Sequence, residues 1–197
     1  MQALEVLRNG QTVVMAGASD ALMISLHLTI LVDGEYPATL HIGGMRDLGN
    51  DRQSHVQWIE DLALADGDEL RIRLLSVPEA STPVEDVPAD SEEHLAAQAQ
   101  YERELASNPP QPRKLERRRP NASLELTVGV GQPIVANFGV DGELLMLGGT
   151  WNNWHPERWR LSLSSCSCEQ ALARQGGKDR FNGRVARNEV VIVRVRG

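Results

Sequence analysis

Ala21-Leu22-Met23-Ile24-Ser25-Leu26-His27-Leu28-Thr29-Ile30-Leu31-Val32 is the stretch on which the fold turns. Leu22, Ile24, Leu26, Leu28 and Ile30 recur at every second residue, with Met23, Ser25, His27 and Thr29 between them. A helix would scatter these positions around its circumference, whereas an extended chain puts each set on its own side. The stretch therefore predicts a β-strand with one buried face. Ser25, His27 and Thr29 also make it too polar, and its length too short, to span a bilayer.

Shorter strands and turn signals surround it. Residues 4–7 and 12–16 read as strands joined by a turn at Arg8-Asn9-Gly10, since Asn-Gly suits a two-residue hairpin. Asp33-Gly34 turns the chain into a returning strand at 38–42. Gly43-Gly44 is expected to stop that strand and a polar loop to follow over 46–54. Asp66-Gly67-Asp68 turns into a closing strand with Leu70, Ile72 and Leu74 inward and Glu69, Arg71 and Arg73 outward.

The same plan recurs later in the chain. Leu4-Glu5-Val6 matches Leu124-Glu125-Leu126, and Gly10-Gln11-Thr12-Val13-Val14 matches Gly131-Gln132-Pro133-Ile134-Val135. Thr39-Leu40-His41-Ile42 matches Arg160-Leu161-Ser162-Leu163. Asp68-Glu69-Leu70-Arg71-Ile72 matches Asn188-Glu189-Val190-Val191-Ile192. These positions are apolar strand positions while the polar residues differ, so the repeat speaks for a shared scaffold rather than a shared active site. The second set of strands is expected at 124–128, 134–138, 143–147, 158–163 and 189–195, with turns at Asp141-Gly142 and Asn182-Gly183. The fold class is all-β: two related sandwich-like units from an internal duplication, at 1–77 and 121–197, packed together and joined by a connector at 78–120. Each unit would be marginal alone, because small domains bury a smaller share of their surface.

The connector has its own composition. Glu79, Glu85, Asp86, Asp90, Glu92 and Glu93 face no basic residue locally, and Pro83 and Pro88 break regular structure, which predicts an exposed acidic loop. Ser91 followed by Glu92 and Glu93 caps a helix over 92–106, with Leu95, Ala99 and Leu105 towards the fold. Ser107-Asn108-Pro109-Pro110 ends it. Arg113, Lys114, Arg117, Arg118 and Arg119 then form a basic run, read as a solvated linker able to pair with the acidic loop.

Net charge is −7, which favours solubility and argues against a general nucleic-acid binder. Cys166 and Cys168 are too close together for an ordinary staple, and the first residues lack the basic-then-apolar pattern of a secretory signal. The expectation is a soluble cytoplasmic protein with no membrane partner.

Candidate chemistry is thin. Trp151-Asn152-Asn153-Trp154-His155-Pro156-Glu157-Arg158-Trp159 holds three of the four tryptophans. Indoles beside amides can stack on a sugar or anchor a protein contact, so Trp151, Asn152, Asn153, Trp154, His155 and Trp159 are the candidate binding residues. The bland alternative is that one or two of the rings fill the gap between sheets. Gly148-Gly149 before them favours a loop. Cys166-Ser167-Cys168, read as strand, would put both thiols on one face, but zinc needs three or four convergent ligands and His27, His41, His55, His94 and His155 are scattered. Asp66, Asp68 and Glu69 cluster at a turn and read as turn chemistry. No phosphate-cradling loop, dinucleotide fingerprint or nucleophile elbow is present, so neither cofactor nor metal is expected.

Trp58, Leu62, Leu64, Gly67, Asp68, Glu69, Leu70 and Ile72, with the acidic proline-containing stretch and helix after them, resemble a closing pattern of small uncharacterised bacterial β-rich proteins. The resemblance covers the first unit and implies a bacterial β fold without assigning an activity. The reading that follows is a non-enzymatic protein-binding module, concretely an immunity-type protein that neutralises a bacterial toxin. Its rivals are a carbohydrate- or small-ligand-binding sandwich using the tryptophans, and an enzyme with His27, His41, Glu60 and His155 in a cleft between the units.

Overall fold

The computed structural model describes residues 1–31, 38–108, 122–173, 175 and 177–196. The Asp33-Gly34 turn and the basic run at 113–119 lie outside them. The alternation at 21–31 becomes β3 (Ala21–Leu31), and Ile24, Leu26, Leu28 and Ile30 are all completely buried. Around it stand two antiparallel sheets. The six-stranded sheet runs β2 (Gln11–Gly17), β1 (Gln2–Arg8), β6 (Glu69–Ser76), β13 (Val191–Arg196), β8 (Ser123–Val128), β9 (Ile134–Asn137). The seven-stranded sheet runs β12 (Lys178–Ala186), β11 (Arg158–Cys166), β10 (Leu144–Asn152), β3, β4 (Ala38–Gly49), β5 (Arg52–Leu64), β7 (Glu85–Pro88). Their apolar faces meet in one core drawn from both halves of the chain, so the protein is an all-β, two-sheet sandwich. Among the described residues no helix is long and apolar enough to cross a membrane.

The halves are joined more closely than two packed sandwiches would be. Each contributes three strands to each of the two main faces, with β7 added at one edge. The seams are β6 against β13 and β3 against β10. At the middle of the first, Arg71 stands opposite Ile192, and at the middle of the second, His27 stands opposite Gly148. The pairing pattern is two-fold, with β1–β6 matched strand for strand by β8–β13. Leu26 pairs with Ile42 as Leu147 pairs with Leu163, and Leu4 pairs with Ala16 as Leu124 pairs with Ala136.

This register corrects two of the matched segments by one residue. Leu70 and Ile72 correspond to Val191 and Val193, which are buried as they are, rather than to Val190 and Ile192. Val14 corresponds to Ile134 on the core side, while Val13 and Val135 both face water. A one-residue slip in a strand exchanges its faces, so burial decides the match. Gly10 and Gly131 are not equivalent positions. Gly129, with φ of 56°, takes the left-handed place of Asn9, with φ of 52°, and each donates its N–H across to the start of the closing strand.

Other expectations are also corrected. The polar stretch 46–54 is the far end of the β4–β5 hairpin, closed by Asn50 and Asp51, both at positive φ as a two-residue turn requires. Gly43 and Gly44 lie inside β4, and Trp58 covers Gly44: a Cβ there would come 3.1 Å from its Cζ3. Gly148 and Gly149 lie inside β10, and Asn182-Gly183 inside β12, where the Phe181 ring occupies the space a side chain at 183 would need. The acidic stretch is not simply a loop, because β7 pairs with β5. Asp86 meets Arg46, and Asp90 receives a bidentate contact from Arg52. Ser91 caps α1 (Glu92–Ser107) as expected, with its Oγ accepting from the His94 N–H. None of α1's side chains is buried, however, and Leu95 and Tyr101 stand in solvent.

The outer face of the six-stranded sheet is laced by ion pairs across both seam strands. Arg194 reaches Glu69 at 2.9 Å and Glu125 at 2.6 Å, while Arg73 reaches Glu5. These pairs are partly exposed, so solvent screens them and they add little to stability.

Candidate functional site

The tryptophan segment is a hairpin, and strand geometry sorts its rings. Trp151 near the end of β10 and Trp159 near the start of β11 are directly opposite each other and point into the core. Trp159 is 1% exposed and lies across Gly149, where a Cβ would come within 2.5 Å of its Cζ3. Trp151 is buried too, and its Nε1 donates to the Pro156 carbonyl, tying one anchor to the turn. The turn is further pinned by Asn153 N–H to the Leu22 carbonyl, His155 N–H to Asn152 and Arg158 N–H to His155. At its tip Trp154 is 83% exposed, flanked by exposed Asn153 and His155, with Asn152 half-buried below. The structure thus divides the six candidate residues. Trp151 and Trp159 fill the gap between the sheets, and one indole, Trp154, is presented to solvent. A three-ring stacking platform is not formed.

The remaining candidates separate likewise. His27 and His41 stand on the outer face of the seven-stranded sheet, ring centroids 6.4 Å apart, and His41 Nδ1 lies 2.9 Å from the Glu60 carbonyl oxygen. Burial, then the neighbouring His41, holds His27 below the usual histidine range, which favours the neutral ring. His155 sits away from them on the β10–β11 turn, and the two halves share continuous sheets where the cleft was expected. Cys166 and Cys168 are not in one strand. Cys166 ends β11, Ser167 caps α2 (Cys168–Leu172), and Cys168 opens that helix. Burial raises the pKa of the Cys166 thiol, which keeps it protonated and a poor nucleophile. His55 stacks on His94 at 4.9 Å, joining β5 to α1. Among the described residues no group of three or more His, Cys, Asp or Glu could hold a metal.

Asp68 is a structural carboxylate. Its Oδ2 accepts from Arg8 at 2.5 Å and from the Ala65 N–H at 2.7 Å, and its Oδ1 accepts from Asn9 at 2.7 Å. Glu69 lies between Arg71 and Arg194. Both are engaged in the turn and sheet, as turn chemistry demands.

One feature escaped sequence reasoning. Arg158, Arg160 and Arg184 have no carboxylate partner among the described residues, and all lie on β11 and β12, with Arg160 directly opposite Arg184. The clustering depends on sheet order, which no local motif encodes.

No protein-family model, curated protein or solved structure matches the chain.

Proposed function

We propose that the chain is a non-enzymatic protein-binding module whose contact centres on Trp154. The observation that carries this reading is the hairpin itself: two buried indoles hold a third out on a pinned turn. An exposed tryptophan on a preordered loop loses little entropy on binding and brings a large apolar surface, the combination found at binding hot spots. The unburied helix α1, with Leu95 and Tyr101 outward, offers a further contact on the same scaffold. An immunity-type protein that neutralises a bacterial toxin is the concrete form, supported by the acidic charge of −7. A cytoplasmic setting belongs to the same proposal. The two-fold strand plan is what duplication of a six-stranded ancestor would leave, and we read it so.

A photo-crosslinking residue placed at position 154 in the native cell should give a discrete protein adduct that the same residue at exposed Gln132 does not give. Once that partner is purified, Trp154→Ala should weaken binding by about 2–4 kcal/mol. Stability should stay within about 0.5 kcal/mol of the parent, because the ring touches little of its own fold. Unchanged affinity of the Trp154→Ala protein for the captured partner would end this reading.

A further inference from the structure

We propose that the free edge of β12 takes an extended, acidic segment of a partner protein as an eighth strand of the larger sheet. This goes beyond the Trp154 reading and stands or falls separately from it. Three observations carry it. First, β12 ends the sheet, and from Lys178 to Val185 no backbone hydrogen bond joins its outer edge to another described residue. An open edge of this length presents a row of unpaired N–H and C=O groups that another chain can complete.

Second, the edge is basic on an acidic protein. β12 carries Lys178, Arg180 and Arg184 against a single acid, Asp179. Arg180 is already held by Asp141, and Asp179 accepts from Asn182. Arg184 faces Arg160 across the β11–β12 ladder, and among the described residues Arg160 finds only the Asn182 amide oxygen, at 3.2 Å. Like charges directly opposite each other on one face destabilise a sheet. A strand added at β12 would lie about 4.8 Å away, placing its outward side chains within reach of Arg184. Glutamates there would relieve the repulsion.

Third, the opposite edge of this sheet already shows the arrangement. β5, the counterpart of β12 in the first half, is covered by the short acidic strand β7, Glu85-Asp86-Val87-Pro88, whose Asp86 meets Arg46 of β4 and the Ser54 hydroxyl of β5. Charge complementarity thus points to an acidic peptide. A β12-to-β12 pairing between two copies, centred on Asn182, would set Arg180 against Arg184. A polyanion such as RNA would leave the backbone edge unsatisfied.

The test uses the full chain and a synthetic seven-residue peptide of alternating valine and glutamate, with a valine–lysine peptide as control. Binding is read by fluorescence anisotropy. Two further peptides carry N-methyl groups on alternate residues, one set for each edge of the strand. Strand addition predicts that the glutamate peptide binds and the lysine peptide does not, and that one N-methylated form loses binding while the other keeps it. The Arg160→Gln, Arg184→Gln double variant should bind about tenfold more weakly, since charge-assisted hydrogen bonds are lost, without a fall in melting temperature. Trp154→Ala should leave this binding unchanged. Equal binding by both N-methylated peptides, or a preference for single-stranded RNA over the glutamate peptide, would overturn the proposal, as would concentration-dependent dimerisation strengthened by Arg184→Gln.

Discussion

Gly149→Leu and Trp159→Ala are each expected to cost several kcal/mol alone, and the two together to restore most of the loss. The two-fold relation explains why. Gly149 occupies the position of Leu28, and Trp159 that of Ala38, because Leu28 pairs with Leu40 as Gly149 pairs with Leu161. One half fills the layer with leucine and alanine, the other with glycine and tryptophan. Removing the indole alone leaves a large cavity in a layer that is completely enclosed, for about 3–5 kcal/mol. Adding leucine alone drives a side chain into a ring already 2.5 Å from where its Cβ must go. Overpacking of a dense core costs about 1–3 kcal/mol, and more where the obstacle is rigid. The double variant reproduces the Leu28–Ala38 solution already present in the fold, and it removes a buried indole N–H that has no acceptor among the described residues. Urea unfolding of the four proteins measures the coupling directly. Additive losses, with the double variant as unstable as the sum of the singles, would show that the Leu28–Ala38 packing does not transfer to the second half.

The same pair marks the boundary of what could be read from the chain. β3 was legible because its alternation is local, and α1 because Ser91, Glu92 and Glu93 announce a helix start. Gly148-Gly149 reads as loop and Asn182-Gly183 as a turn because the reason for a glycine in a strand lies elsewhere: an indole ten residues on in one case, a phenyl ring from the same strand in the other. The 46–54 hairpin read as loop because its strands run beyond the core and carry polar residues on both faces. β7 could not be foreseen without knowing that Arg46 and Arg52 stand across from Asp86 and Asp90. The tryptophan segment was partly decipherable. Trp151 and Trp159 pair across a hairpin and must share a face, so placing the turn at 153–157 would have left Trp154 outside. Arg158, Arg160 and Arg184 gave no such signal, since their lack of a carboxylate partner among the described residues follows from strand order.

Asp68 is the position where acidity should matter most. It stands where the β1–β2 turn, the β5–β6 turn and the end of β13 meet: besides its three side-chain bonds, its carbonyl accepts from the Val195 N–H at 3.0 Å. Burial pushes its carboxyl pKa up, but Arg8, the Ala65 N–H and Asn9 together outweigh burial and hold it below the usual aspartate range. A carboxyl whose pKa is lower in the folded than in the unfolded state contributes its full stabilisation above the unfolded value, about 3.9, and loses it as pH falls through the folded value. Asp68→Asn keeps the shape but turns an acceptor towards Arg8 into an amide that cannot accept on both sides, for an expected loss of about 2–3 kcal/mol at pH 7. The gap between parent and variant should then narrow as pH falls below about 4, because the parent's aspartate is protonated while the asparagine is indifferent. Asp20, Glu69 and Asp90 are also held low by arginines, so the parent's whole acid limb is steep and only the difference between the two proteins isolates Asp68. Glu189 supplies the internal comparison. It takes the Ala186 N–H at 3.0 Å as Asp68 takes Ala65, but no arginine is bonded to it among the described residues. Glu189→Gln should therefore cost about 1 kcal/mol or less. A stability gap for Asp68→Asn that stays constant from neutral pH to strong acid would mean that the Arg8 pairing adds nothing, and that the turn is held by its backbone alone.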